Sequence, residues 1–226
     1  NELEDTRRMV WDLYHAGVDA LIVQDFSLLS MDLPPIPLHA STQMDNRTPQ
    51  KVRWLQSLGF RQTVLARELS IDEIREIHSQ VPGMPLEAFV HGALCVSYSG
   101  QCRASQYCFG RSANRGECAQ FCRLPFTLTD AGGNALSARR HLLSLRDMYR
   151  LDSLEEMMDA GVTSFKIEGR LKDVSYVKNV TAAYRQAIDT ILARRADRYQ
   201  RSSLGESELA FTPDPRRSFS RGFTDY

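Results

Sequence analysis

Every cysteine of the chain falls within one stretch, EAFVHGALCVSYSGQCRASQYCFGRSANRGECAQFCR, from Glu87 to Arg123. It holds Cys95, Cys102, Cys108, Cys118 and Cys122. No other feature constrains the fold as strongly. The stretch opens as a strand, EAFVHG, and then leaves regular periodicity. A loop this long inside a compact domain is usually either functional or disordered, and thiols spread evenly along it argue against disorder. Cysteines gathered in one loop, with none elsewhere, do not make the disulfide framework of a small secreted protein. A reducing, cytoplasmic compartment is the expectation.

Around this segment the chain reads as α/β scaffold. Glu2 to His15 has helical spacing, with Met9, Val10, Leu13 and Tyr14 as its apolar positions. Ala20 to Asp25 is a short apolar run, as expected of a strand buried on both faces. Leu38 to Ser41 is a second strand. Thr48 and Pro49 start a helix as N-cap and first helical residue, with Val52, Leu55 and Leu58 facing inward. Gln62 to Ala66 is a strand, and Ser70 with Glu73 forms a capping box for a helix over Ile71 to Val81. Leu86 to His91 is the next strand. Beyond the cysteines, Pro125 to Thr129 is a possible strand, Leu151 to Ala160 a helix, Val162 to Ile167 a strand and Val174 to Arg194 a long helix. Such parallel βα units build either an open sheet or a (β/α)₈ barrel. The tail, 196–226, is polar and poorly periodic; it reads as a linker outside the main fold, leading to a further domain. A start inside a helical pattern suggests a piece of a longer protein.

Lys+Arg and Asp+Glu both number 28, so net charge offers no global argument for a nucleic-acid partner. Only a local basic patch would serve. No apolar run approaches the ~20 residues of a membrane-spanning helix, so no membrane partner is expected.

Four soft thiolates converging on one centre favour zinc or an iron–sulfur cluster, and the residues alone do not choose between them. Disulfides are the bland alternative. Glu87, Phe89 and His91 alternate along one strand and should share a face. A glutamate there needs a partner, with Arg67, Lys166 and Arg170 as candidates. His91, at a strand end, suits proton donation or substrate contact, or simply orients the loop. Arg103, Arg111, Arg115 and Arg123, with Tyr107 and Phe109, suit a splayed single strand of RNA or neutralise thiolates. No nucleophile elbow G-x-S-x-G or zinc helix H-E-x-x-H is present.

The run EAFVHGALCVSYSGQC with its continuation GRSANRGECAQFCR resembles the signature of the U32 peptidase family, the collagenase-like proteases. Leu38-His39-Ala40-Ser41-Thr42-Gln43 and Phe165-Lys166-Ile167-Glu168-Gly169-Arg170 resemble two further family segments. Several members of that family are oxygen-independent hydroxylases that carry an iron–sulfur cluster. They act on a pyrimidine in ribosomal or transfer RNA, with prephenate as a proposed hydroxyl donor, or on a quinone precursor. The resemblance to the RNA-hydroxylating branch implies a partial TIM-type barrel over residues 1–195, with about six of the eight strands and the cysteine-rich loop at 92–123. It implies a [4Fe–4S] cluster on Cys95, Cys102, Cys118 and Cys122, with zinc as the alternative and Cys108 as a spare. Some relatives place a further cysteine where this chain has Tyr149. The resemblance puts His91, His39, Lys166, Glu168 and Arg170 at the chemistry, the last with Lys166 as a clamp for a small carboxylate such as prephenate. Ser41, Thr42, Gln43, Arg67, Glu87 and Arg123 are expected to touch substrate. The other functional readings are a U32-type peptidase and a non-enzymatic, metal-stabilised RNA-binding module.

Overall fold

Alternation of short apolar runs and amphipathic segments yields a mixed α/β architecture around one sheet. The computed structural model describes residues 2–225. In chain order the elements are α1 (Glu2–His15), β1 (Leu21–Val23), β2 (Leu38–Ala40), α2 (Pro49–Ser57), β3 (Gln62–Val64), α3 (Ile71–Gln80) and β4 (Leu86–Ala93). There follow α4 (Ala104–Phe109), β5 (Asp147–Tyr149), α5 (Leu154–Asp159), β6 (Val162–Ile167), α6 (Val174–Arg194) and β7 (Phe223–Thr224). Neighbouring strands in the order β1-β2-β3-β4-β6 are all parallel. Strand β5 runs antiparallel to the end of β4, and β7 is parallel to β5.

The register sorts side chains onto two faces. Leu21 and Leu38, Val23 and Ala40, and Leu86 and Val162 stand opposite one another. They pack with Val52 and Leu55 of α2, Ile74 and Ile77 of α3, Met157 of α5 and Val180 of α6 in one continuous core. Burying each such side chain is worth about 1.5–3 kcal/mol. The other face carries Ile22, His39, Gln62, Val64, Glu87, Phe89, Ser164 and Lys166 by the same pairing. Among the described residues no helix covers it, and Ile22 is 50% exposed there.

The helices start where their capping chemistry dictates. Thr48 accepts from the Lys51 N–H, Ser70 and Glu73 form the reciprocal capping box, and Asp173 accepts from the Tyr176 N–H at 2.7 Å.

Several expectations are corrected. The sheet is not a closed barrel: among the described residues β1 and β6 each pair on one edge only. The β1 strand is therefore buried on one face and open on the other. Leu58, expected inward, is the C-cap of α2 and 38% exposed. Pro125 to Thr129 forms only isolated bridges, Phe126 to Arg140 and Thr129 to Ala135. The segment 196–226 folds back, because β7 pairs with β5 and Asn179 of α6 bonds Asp214 and Ser218. Among the described residues no helix is long and apolar enough to cross a membrane.

Gly92 begins the exit from β4. Its φ is +104°, and a Cβ there would lie 2.6 Å from the Glu168 carbonyl oxygen. Only glycine permits this approach of β4 to the end of β6. Gly92→Ala is expected to cost roughly 2 kcal/mol or more. Urea unfolding of this chain measures it, and an unchanged midpoint would show that the approach is not required.

Candidate active site

The helix-free face of the sheet forms the floor of a cavity of about 1280 Å³. Val64, Phe89 and Lys166 lie on that floor; Cys95, Cys102, Cys118 and Cys122 line it from the loop that follows β4. Cys108 does not reach it and is exposed. Lys172 to Asn179 and residues from 211 to 221 supply the remaining wall.

Two ion pairs organise the floor. Glu87 is nearly buried and accepts from Lys166 at 2.9 Å, Ser164 at 2.8 Å and Gln62 at 2.9 Å. Glu168 pairs with Arg67 at 2.9 Å, and the Arg67 guanidinium stacks 4.0 Å from the Phe89 ring centroid. The alternative Lys166–Glu168 pair does not form. Lys166, expected to clamp a carboxylate with Arg170, is thus committed to Glu87. Arg170 lines the cavity, exposed, and makes no ion pair among the described residues.

The cysteine loop is held by polar staples. Ser99, buried at φ 50°, is fixed by its N–H donating to Glu68 at 2.7 Å and its hydroxyl donating to Asp45 at 3.0 Å. Arg123 donates to the carbonyls of Leu94 and Leu145 and to Ser144 Oγ. It lines the cavity but spends its guanidinium on the loop. Ser41 and Thr42 cap the turn after β2 by bonding the Gln43 N–H and the Leu65 carbonyl. Gln43 joins that turn to the loop, donating to Asn114 at 3.1 Å and accepting from Gln101 at 2.7 Å. Of these residues Ser41, Thr42, Gln43, Asn114 and Arg123 also face the cavity.

The histidines stand elsewhere. The register shift between Phe89 and His91 turns His91 off the face shared by Glu87 and Phe89. Its ring is packed among Tyr149, Tyr176, Tyr184 and Phe223, behind the cavity wall. Burial pulls His91 down to about 4, against a weaker opposing pull from Asp147. His39 is also lowered by burial, with Glu87 opposing, and it too is outside the lining. Tyr149, where some relatives carry a thiol, lies beside His91 and not with the cysteines.

All five thiols are free. Burial pushes the Cys122 thiol up, and Cys95, Cys118 and Cys102 add to the rise while Arg123 opposes it. The Gln120 N–H donates to Cys118 Sγ at 3.4 Å. Among the described residues no three His, Cys, Asp or Glu side chains close into a cage for one ion; the four thiols ring the cavity instead. Thiolates are the soft donors of iron–sulfur and zinc centres alike.

The balanced net charge conceals a local imbalance. The lining contains Arg67, Arg123, Lys166, Arg170, Lys172, Lys178, Arg217 and Arg221, against Glu168 and Asp173. The sequence reading missed Lys172, Tyr176, Arg217, Phe219 and Arg221. The alternation Arg217-Ser218-Phe219-Ser220-Arg221-Gly222-Phe223 was the signal, a basic and aromatic period of two inside an apparently irregular tail. Of the loop arginines only Arg123 lines the cavity; Arg115 pairs with Glu2 at the surface. Tyr176 is 4% exposed, lines the cavity, and its hydroxyl has no partner among the described residues. Burial raises it to about 12.

The model of peptidase family U32 matches residues 1–226. The chain is 55% identical over 226 residues to the 23S rRNA 5-hydroxycytidine C2501 synthase of Escherichia coli, covering 100% of this chain and 34% of that protein. It is 34% identical over 235 residues to tRNA hydroxylation protein P1 of Bacillus subtilis, covering 99% of this chain and 54% of that one. A collagenase of Porphyromonas gingivalis is 33% identical over 225 residues, with 93% and 52% covered. The chain therefore spans between about a third and half of these relatives.

His91 gives the site a pH signature. The folded chain holds this imidazole neutral down to about 4, whereas the unfolded chain releases it to its usual 6.5. Protons then bind the unfolded chain more readily between those values, so the stabilisation is complete above pH 6.5 and falls as pH drops toward 4. The full loss is roughly 3 kcal/mol. His91→Phe keeps the aromatic packing and is expected to flatten this fall. Denaturant unfolding across pH tests it; an identical slope in the variant would contradict it.

Proposed function

Because the chain belongs to peptidase family U32, we propose that it is the thiol-bearing part of a longer, cytoplasmic enzyme that hydroxylates a pyrimidine in ribosomal RNA without molecular oxygen. The observation that carries this reading is the 55% identity along the whole chain to a 23S rRNA 5-hydroxycytidine synthase. The cavity is consistent with it, since four free thiols and an excess of cations line one space.

A ring carbon of a paired base is inaccessible, so the base must leave its stack to be reached. In balance, the base exchanges C–H for C–OH while a hydroxylated donor exchanges C–OH for C–H. Prephenate, a small dicarboxylate, is the proposed donor. Cys95, Cys102, Cys118 and Cys122 would hold a [4Fe–4S] cluster, which would supply an electron-transfer and Lewis-acid centre. The chain's own groups do the placing. Arg170 and Lys172 attract the donor's carboxylates, the former with a planar fork suited to bidentate contact. Lys166 is held back by Glu87 and sets the floor. Tyr176, kept protonated by burial, donates a hydrogen bond to a ligand oxygen.

The test is mass spectrometry of rRNA nucleosides from a strain lacking the full protein. The expected result is loss of one added oxygen on a single pyrimidine, restored by the wild-type protein and not by the Cys95→Ala/Cys118→Ala variant. Unchanged nucleosides would overturn the reading. Gelatin cleavage by the purified protein would replace it with the peptidase reading. RNA binding with colourless, zinc-containing protein and unchanged nucleosides would replace it with the metal-stabilised module.

A further inference from the structure

The segment expected to hang free, 196–226, instead supplies aromatic and basic side chains to the cavity. It is firmly fixed there. Asn179 donates to the Asp214 carbonyl at 2.7 Å and Ser218 Oγ at 2.8 Å, and accepts from the Asp214 N–H at 2.8 Å. Arg221 pairs with buried Asp147 at 3.2 Å, and β7 joins the sheet immediately after. Between these anchors Phe219 is held 63% exposed, a large apolar ring without apolar cover. Lys172 Nζ lies 4.2 Å and the Arg221 guanidinium 5.2 Å from its centroid. Lys178 and Arg217 stand exposed at the same wall, Arg217 in a surface pair with Asp214 that a phosphate would readily replace.

We infer that this wall is the track on which the RNA strand lies: Phe219 is the stacking platform for an unstacked nucleobase, and Lys178 and Arg217 contact the flanking phosphates. The inference rests on the RNA reading above. A fixed, exposed aromatic flanked by cations is the arrangement by which single strands are bound, because every base has a π-face and every linkage a negative charge. Pre-ordering of the strap by Asn179 and Asp147 removes an entropic cost of binding. Cations outnumber carboxylates in the lining, which favours a polyanion over a neutral chain.

The experiment measures binding of the full-length protein to a short, labelled, pyrimidine-rich single-stranded RNA by fluorescence anisotropy across a salt series. Phe219→Ala is expected to weaken binding about tenfold with an unchanged salt slope, and Phe219→Trp to restore it. Lys178→Ala is expected to weaken binding uniformly across sequences and lower the salt slope by about one. Circular dichroism and iron content should match the wild type in each. If the wild type binds and both alanine variants bind equally well, the strand lies elsewhere and the inference fails alone. If the wild type binds no RNA, the RNA reading fails with it.

Discussion

Glu87 is a carboxylate on a face that a closed barrel would turn inward. Here that face is open, and Glu87 is nearly buried only because Lys166, Ser164 and Gln62 surround it. The three donors come from the strands on either side of β4, so the interaction joins β3, β4 and β6 across the floor of the cavity. Removing one member of such a pair strands the other charge, which is costly where solvent access is limited. The second pair, Arg67 with Glu168, repeats the device at the mouth. Together they neutralise the cations of the floor and leave the unpaired ones, Arg170 and Lys178, toward the wall.

The cysteine loop depends on this frame because it has little core of its own. Past Leu94, which packs beside Phe89 and Met148, its buried groups are polar: Ser99 on Glu68 and Asp45, and Ser105 accepting from the Ala119 N–H. A loop without an apolar core has to be fixed by directional bonds, and Arg123 and Gln43 complete the set. Ser41, Thr42 and Gln43 therefore act first as scaffold for the turn and the loop it holds, with their cavity-facing surfaces as a second role.

Much of the fold was legible in the residues. Capping at Thr48 and Ser70 and the periodicity of Val174 to Arg194 located the helices, because these signals are local. Strand β5 was not legible, since three residues pairing antiparallel to the end of β4 carry no pattern of their own. The seat of His91 was misread because a bulge breaks the alternation on which facing arguments rest. The thiols were legible as a group. The cationic wall was not, because half of it comes from a tail whose return depends on distant contacts at Asn179 and Asp147.

The proposal that four thiols of one loop hold an inorganic centre beside a cationic cavity is tested most directly by anomalous X-ray scattering at the iron edge from crystals grown without air. One compact iron peak ringed by the sulfurs of Cys95, Cys102, Cys118 and Cys122 is the expected result. A peak at the zinc edge alone, or iron bound away from these sulfurs, would contradict it.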